Sequence, residues 1–220
     1  MLITNNMDFI NIFEQKIAVY TGFKHAICTD CCTNAIILSL ATKIYLNEFN
    51  KNDILNITKY TYMSIPMTLL NYGYKINFID DKWNKFYELG NTNIFDAATD
   101  MHENMVNDYN EDVLVCISFQ QKKRLSLGRG GAILFNNIKY LELLRRLRYD
   151  GRNPYISDKD EIENNSNDII CGYHCYMEPD KAAQGILKIN QPQLLQPYKQ
   201  YSYKDYNNIS KLPIFKTYEK

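Results

Sequence analysis

The sequence predicts an α/β fold in which a mostly parallel central sheet is flanked by helices. Two observations lead to this prediction. Through the first 150 residues, short apolar segments of strand length alternate with longer segments of helical length. The short segments are nearly continuous apolar runs, such as V-L-V-C-I at 113–117, which is typical of strands buried on both faces. In such a sheet, ligands bind beside the carboxyl ends of the strands.

Each element has its own local signal. An apolar stripe at helical spacing predicts the first helix over 8–21, with Asp8 as its N-cap and Gly22 as its C-cap. Length and apolar content predict further helices over 33–46, 64–73, 136–148 and 178–189. Strands are predicted over 25–29, 53–58, 75–80, 93–96, 112–119 and 131–135. The polar residues 153–168 predict an exposed loop.

The domain organisation follows from where this alternation stops. Residues 1–190 form one predicted domain. Residues 191–220 are rich in Tyr, Lys, Asn and Gln without a clear period, and they predict a tail packed on the body rather than a second domain.

Composition argues against several classes of function. Lys and Arg total 25, as do Asp and Glu, so the chain lacks the basic excess of a nucleic-acid binder. No apolar run approaches the ~20 residues of a membrane span, and no signal peptide is visible, so a cytoplasmic protein with no membrane contact is expected. The six cysteines are then predicted to be free thiols. A zinc site is the weaker alternative, because no second C-x-x-C completes a ligand set from Cys28, Cys31, His174 and Cys175.

Three predicted strand ends carry residues suited to ligand binding. Thr33 opens a helix whose first N–H groups suit a phosphate, or it simply caps that helix. Of Tyr60 and Tyr62, which alternate in direction, one could face a planar ligand, or both could pack in the core. Asp96 ends a strand where a carboxylate needs a partner, so it either caps a helix or holds a protonated ring nitrogen.

A fourth strand end carries adjacent lysines. The stretch S-F-Q-Q-K-K-R-L-S-L-G-R-G-G begins at Ser118, directly after the most apolar run of the chain. A lysine in a cleft can have its pKa lowered and act as a nucleophile or base, whereas a solvated surface loop is the ordinary alternative. Residue type alone does not separate Lys122 from Lys123.

Taken in order, these segments resemble the DegT/DnrJ/StrS family of sugar aminotransferases. Each match alone is weak, but six in the right order are specific. The matching segments are C-T-D-C-C-T-N (28–34), K-Y-T-Y-M-S-I-P (59–66), I-F-D-A-A (94–98), S-F-x-x-x-K-x-L-x-x-G-x-G-G-A (118–132), L-R-Y-D-G-R (147–152) and G-Y-H-C-Y-M-E-P (172–179). The resemblance implies a pyridoxal 5′-phosphate (PLP)-dependent transferase of fold type I, the aspartate-aminotransferase fold, with PLP as cofactor and no metal.

The resemblance also assigns the catalytic roles. Lys123 falls on the Schiff-base lysine, with Lys122 one place early, and it would later move a proton between substrate and cofactor. Asp96 would pair with the ring nitrogen and keep it protonated. Tyr62 would stack on the ring. A desolvated cleft and a nearby cation, from Lys122 or Arg124, would lower the pKa of Lys123.

The remaining cofactor residues are assigned in the same way. Thr33 and Ser118 would hold the phosphate, and Cys32 stands where the family usually has glycine. Thr99 replaces the usual glutamine near the phenolic oxygen of the cofactor. His174 replaces an asparagine in the segment that reaches the partner's site, which implies a homodimer with shared active sites.

The predicted function is transfer of an amino group, from glutamate, to a keto-sugar nucleotide in the synthesis of surface-polysaccharide or glycan precursors. Gln120 replaces a usual histidine, and most of the family's small domain is missing, leaving residues 191–220 as its remnant. These departures keep a second hypothesis open: a catalytically reduced relative that binds PLP or a sugar nucleotide, or serves as a partner subunit. A sugar dehydratase fits less well, because such relatives replace the lysine with histidine.

Overall fold

The computed structural model describes residues 6–191 and 198–216. Its helices are α1 (Asn6–Thr21), α2 (Cys32–Tyr45), α3 (Ser64–Asn71), α4 (Leu141–Arg148), α5 (Asp158–Asn164), α6 (Pro179–Lys188) and α7 (Pro213–Lys216). Its strands are β1 (His25–Thr29), β2 (Ile54–Thr58), β3 (Lys75–Ile79), β4 (Tyr87–Glu88), β5 (Ile94–Asp96), β6 (Leu114–Ser118) and β7 (Gly131–Phe135). The predicted alternation of helices and strands is therefore confirmed.

The strands form two sheets, and neither the order nor the direction is that of a mostly parallel sheet. One sheet has the order β1-β7-β6-β5-β4, and the other pairs β2 with β3. Among the strand pairs of the described residues, β5–β6 and β2–β3 are parallel and the other three are antiparallel. The prediction of a mostly parallel sheet is corrected to a mixed sheet. The physical reason is that the loop 119–130 carries no crossover helix, so β7 returns antiparallel to β6 and inserts beside β1.

Both faces of the five-stranded sheet are buried. Along β6, Leu114 and Cys116 belong to a core shared with α2 and α4, whereas Val115 and Ile117 belong to a second core shared with α1 and α6. A strand covered by helices on both sides has no polar face, which explains why its sequence shows no alternation.

A buried ion pair ties α1 to the end of α4. Arg148, fully buried, contacts the carboxylate of Glu14 and donates to the carbonyl oxygen of Cys28 at 2.8 Å. The N–H of Cys28 donates to Glu14 Oε1 at 2.7 Å. The pair therefore fixes β1, the strand that leads into the turn before α2.

Two local predictions are corrected. Helix α1 begins at Asn6, so Asp8 lies in its first turn and is not the N-cap. Residues 153–168 are not all loop, because α5 lies within them. The hydroxyl of Ser157 accepts the N–H of Asp160 at 3.1 Å and caps this helix. Buried Glu161 pairs with Arg146 at 3.0 Å, so a short, tethered helix is hidden by a polar composition.

The described part of the tail packs on the body. Ile209 is buried, and the ring of Phe215 packs edge-on against Phe78 with centroids 5.1 Å apart. Residues 192–197 and 217–220 of the predicted tail lie outside the described residues. Within the described ranges, every helix is too short or too polar to cross a bilayer.

Candidate active site

A cavity of about 500 Å³ opens where β1, β2, β5 and β6 end. It is large enough for a cofactor-sized ligand. Seven of the eight predicted site residues line it, namely Cys32, Thr33, Tyr62, Asp96, Thr99, Ser118 and Lys123. Residues from four separate strand ends therefore converge on one cavity.

One end of the cavity is the N-terminus of α2. The N-cap is Cys31, whose Sγ accepts the N–H of Asn34 at 3.4 Å, so Thr33 lies in the first turn and does not cap the helix. The hydroxyl of Thr33 lies 2.8 Å from Ser64 Oγ. The first N–H groups of a helix have no intrahelical partners, and they favour an anion. Cys31 and Ser64 were not predicted as site residues.

Gly131 allows the start of β7 to lie against the start of α2. It is the first residue of β7 and lies between Thr29 of β1 and Ser118 of β6. A Cβ atom at this position would lie 2.5 Å from the backbone nitrogen of Cys32. Only glycine therefore lets Ser118 and the start of α2 lie side by side.

Asp96 lies at the centre of a short hydrogen-bond chain. The hydroxyl of Tyr87 donates to Asp96 Oδ2 at 2.5 Å, and it also lies 2.5 Å from Thr61 Oγ1. The N–H of Ala98 donates to Asp96 Oδ1 at 3.0 Å. Burial raises the pKa of Asp96, while the bonds from Tyr87 and Ala98 and the charge of Lys123 oppose this rise. Tyr87 and Thr61 were missed from the sequence.

Lys123 is the partly buried member of the lysine pair, and Lys122 is exposed. Burial lowers the pKa of Lys123, and the negative charge of Asp96 acts in the opposite direction. The lowered pKa of Lys123 and its cause, desolvation in a cleft, are confirmed, whereas the predicted effect of Lys122 or Arg124 is wrong, because neither is among the causes. The N–H of Lys123 donates to the carbonyl oxygen of Gln120 at 2.8 Å, which holds the loop in a tight turn.

Tyr62 and Thr99 also line the cavity. The side chain of Tyr62 is exposed at the mouth. Thr99 is buried, and its hydroxyl donates to the carbonyl oxygen of Lys85 at 3.3 Å. Their predicted contacts with a cofactor stay predictions.

His174 lies outside this cavity. It lines a second cavity of about 300 Å³, together with Tyr176 and Glu178. Its Nδ1 lies 3.0 Å from Asp150 Oδ1, and its side chain is 71% exposed. Arg129 and Gly130 line both cavities, so the two lie on either side of the same loop. The chain therefore presents His174 outward, away from its own Lys123.

The predicted free thiols are present, and the cysteine–histidine zinc alternative gains no support. All six cysteines are free. Among the described residues, the side chains grouped closely enough to hold a metal ion are Asp100, His102 and Asp108. Lys85 Nζ lies 3.4 Å from Asp108 Oδ2, so a cation already accompanies this group, and no metal is assigned to it.

The remaining wall of the cavity comes from two segments that sequence reasoning missed. Trp83 precedes β4, and the other residues belong to the tail, namely Tyr201, Asp205 and Tyr206. Tail and body thus meet at the cavity.

The structure is similar to solved PLP enzymes. It matches a GDP-4-keto-6-deoxymannose-3-dehydratase with a trapped PLP–glutamate geminal diamine, at a TM-score of 0.61 and 14% identity over 82% of this chain and 60% of that one. It also matches NtdA from Bacillus subtilis with bound PMP. The TM-score is 0.67 and the sequence identity is 15%, over 84% of this chain and 48% of that one. A third match is a protein from Streptococcus pneumoniae assigned as a sugar aminotransferase, in its PMP form. The TM-score is 0.56 and the sequence identity is 11%, over 83% of this chain and 58% of that one. The chain spans 48–60% of these three proteins.

These similarities confirm the fold predicted from the sequence, that of the PLP-dependent transferases of fold type I. Among curated proteins, no sequence matches this chain significantly. The family model of the DegT/DnrJ/EryC1/StrS aminotransferases matches residues 2–100 and 94–211. The chain belongs to the DegT/DnrJ/EryC1/StrS aminotransferase family.

Proposed function

We propose that this protein is a PLP-dependent aminotransferase that transfers an amino group from glutamate to a keto-sugar nucleotide. The observation that carries the proposal is the convergence of Lys123, Asp96 and the N-terminus of α2 on one cavity. Family membership supports the same reaction class.

The donor set of the cavity fits PLP. An amine of lowered pKa, Lys123, suits the aldehyde carbon; a buried carboxylate, Asp96, suits a protonated ring nitrogen; and a helix N-terminus with the hydroxyls of Thr33 and Ser118 suits a phosphate. Each of the three chemically different parts of PLP therefore has a matching group. When bound, PLP supplies an electron sink that stabilises negative charge on the substrate carbon.

The residues of this chain have separate tasks in the reaction. Lys123 would hold the cofactor covalently through its Nζ, with release of water, and its neutral amine would later carry a proton to and from the substrate carbon. Asp96, held by Tyr87, would keep a proton on the ring nitrogen. The exposed ring of Tyr62 would cover one face of the cofactor at the mouth.

The substrates are proposed by comparison. One similar structure contains a PLP–glutamate adduct, and the names of two similar proteins refer to sugar chemistry. A keto-sugar carried on a nucleotide, as a precursor of surface polysaccharide or another glycan, fits these similarities. Six free thiols are compatible with a cytoplasmic location.

A homodimer is part of the proposal. The exposed side chain of His174 and the neighbouring Lys181 line a cavity on the outer side of the loop that ends at Gly130. We propose that this surface faces the partner's cofactor cavity, where His174 would donate to the phosphate.

The adjacent lysines provide a sharp test of the function. Incubation of the wild-type protein with PLP should give an absorbance band near ~420 nm and, after borohydride, a stable adduct on the peptide that contains Lys123. Lys123→Ala should remove both signals. Lys122→Ala is the matched control, because this exposed neighbour shares the loop, and it should keep both.

Addition of glutamate to the PLP-loaded protein should then bleach the band, because the amino group is transferred to the cofactor. A stable adduct in Lys123→Ala would contradict the assigned lysine. A band that persists with glutamate would contradict the amino donor and favour a catalytically reduced relative.

A further inference from the structure

The tail segment 198–209, which we call the strap, crosses the mouth of the cavity. Its residues 201–203 run antiparallel to 83–85, with a bridge between Asn84 and Ser202. The N–H of Lys85 donates to the carbonyl oxygen of Tyr201 at 2.9 Å, and the N–H of Tyr203 donates to that of Trp83 at 3.1 Å. The strap is thus attached, strand-like, to the segment that leads to Tyr87.

Two further bonds hold the ends of the strap on opposite sides of the cavity. The hydroxyl of Tyr198 donates to the carbonyl oxygen of Lys122 at 3.0 Å, which ties the strap to the loop that carries Lys123. At the other end, the N–H of Ile209 donates to the carbonyl oxygen of Lys59, just after β2. The strap therefore joins the loop that carries Lys123 to the segment that follows β2.

The strap has a rigid turn at the cavity wall. Asp205 Oδ2 accepts the N–H of Ser202 at 3.0 Å, and Asp205 Oδ1 pairs with Lys199 at 2.5 Å. This turn places Tyr206 on Trp83, with ring centroids 5.4 Å apart. Tyr206 lines the cavity beside Asp96.

The aromatic rings form a continuous layer from the strap to the buried carboxylate. Trp83 packs on Tyr87 with centroids 5.4 Å apart, and Tyr87 donates to Asp96. Burial, followed by the negative charge of Asp96, raises the pKa of Tyr206. A ring in this position excludes water from the side of the cavity where Asp96 lies.

We propose that the strap is a cofactor-retaining element, and that Tyr206 closes the Asp96 side of the PLP cavity from within the same chain. This inference rests on the proposed function, because it assumes that the cavity holds PLP. It gives the tail a role in the site beyond packing on the body.

The test compares the rate at which PLP leaves the loaded protein. Wild type, Tyr206→Ala, Tyr198→Phe and Lys204→Ala are loaded with PLP and diluted into an excess of an apo-enzyme that captures free PLP, and loss of the ~420 nm band is followed. Tyr206→Ala should release PLP about tenfold faster. Tyr198→Phe loses one hydrogen bond but keeps its ring, and it should release PLP about threefold faster.

Lys204→Ala is the control, since Lys204 is exposed on the strap and does not line the cavity. It should release PLP at the wild-type rate. Thermal unfolding of each apo protein reports whether the fold is intact. If Tyr206→Ala is unfolded, the PLP release rate of Tyr198→Phe alone decides whether the strap retains the cofactor.

The possible outcomes separate the two proposals. Folded strap variants that release PLP at the wild-type rate overturn the role of the strap, while the function stands. A wild-type protein that binds no PLP through Lys123 overturns the function itself, and the strap inference fails with it.

Discussion

Tyr87 and Asp96 are direct cross-strand partners on β4 and β5, and their side chains are joined by a 2.5 Å hydrogen bond. Residues directly opposite each other in an antiparallel pair lie close enough for such contact. The carboxylate oxygen accepts, and the phenol donates, because burial and the charge of Asp96 raise the pKa of Tyr87 and keep it protonated. Tyr87 is thus a positioning residue that favours the ionised form of Asp96.

Tyr87→Phe should therefore weaken catalysis through Asp96. Without the donated bond the pKa of Asp96 rises further, so the acid limb of the pH profile for the glutamate half-reaction moves to higher pH. At neutral pH we expect the rate to fall about tenfold, the usual value of a hydrogen bond to a charged group. The measurement is the bleaching rate of the PLP band against pH.

The control for this experiment is Tyr155→Phe, which removes a hydroxyl bonded to Asn11 on the surface. It should leave the pH profile unchanged. A Tyr87→Phe profile that keeps its acid limb, with only a uniform loss of rate, would mean that Tyr87 merely packs beside Asp96.

The ionised carboxylate of Asp96 should also lower the free energy of unfolding of the apo protein at neutral pH. Its folded-state pKa is raised, first by burial, so the folded protein holds the proton more tightly than the unfolded chain does. The resulting stabilisation is present at acid pH and is lost as the pH rises through the folded pKa. Asp96→Asn, which stays neutral, should raise the free energy of unfolding at neutral pH by about 1 kcal/mol while it abolishes amino transfer.

Denaturant unfolding of the apo proteins measures this difference, and the gain should shrink toward acid pH. The Asn side chain remains compatible with the site, because Tyr87 can accept from its amide and donate to Thr61 instead. Asp80→Asn is the control of opposite sign, since a hydrogen bond from Lys59 lowers the pKa of Asp80. A neutral-pH loss of stability in Asp96→Asn would contradict the argument.

The strand ends were predictable because a continuous apolar run identifies a buried strand. The residue that follows such a run therefore lies at the edge of the sheet. Asp96 and the adjacent lysines were found in this way, whereas the choice of Lys123 and the role of Ser118 came from the family resemblance. All three of these residues line the same cavity. Tyr87 was not, because β4 is two residues long and has no periodic signal. Its place beside Asp96 depends on strand register, which a single sequence does not reveal.

The tail shows a second limit of the sequence. Tyr201 and Tyr206 stand in a segment without period, and their contribution depends on a tertiary bridge between Asn84 and Ser202. The direction of β7 was missed for a similar reason. The length of a loop does not determine which strand the next strand pairs with, or in which direction. Local patterns predicted elements, whereas pairing between distant segments decided the topology and one wall of the site.

Gly131→Ala should disturb the anion end of the cavity. The added Cβ would meet backbone atoms of Cys31 and Cys32 at 2.5–2.7 Å, and backbone cannot give way as a flexible side chain does. We expect a loss of about 1–3 kcal/mol in the free energy of unfolding, as for overpacking elsewhere. The start of α2 must shift, so PLP affinity should fall as well, which absorbance titration measures.

Gly73→Ala is the matched control. It adds the same methyl group at a positive φ of 76°, where nothing lies within 4 Å of the new atom. It should cost stability through backbone strain, about 1 kcal/mol, and leave PLP affinity unchanged. Equal PLP affinities in the two alanine variants would show that the approach of β7 to α2 does not shape the site.

The proposed sharing of sites between subunits has its own test, because Lys123 and His174 would serve different cavities of one dimer. Lys123→Ala and His174→Ala homodimers should each be impaired, the first completely. When the two are mixed and allowed to exchange, each heterodimer regains one intact site from Lys123 of one chain and His174 of the other. Activity should then recover to roughly a quarter of the wild-type value, as expected for random pairing in a twofold dimer. Light scattering checks the dimer, and a mixture no more active than the average of its parents would show that His174 does not complete a partner's site.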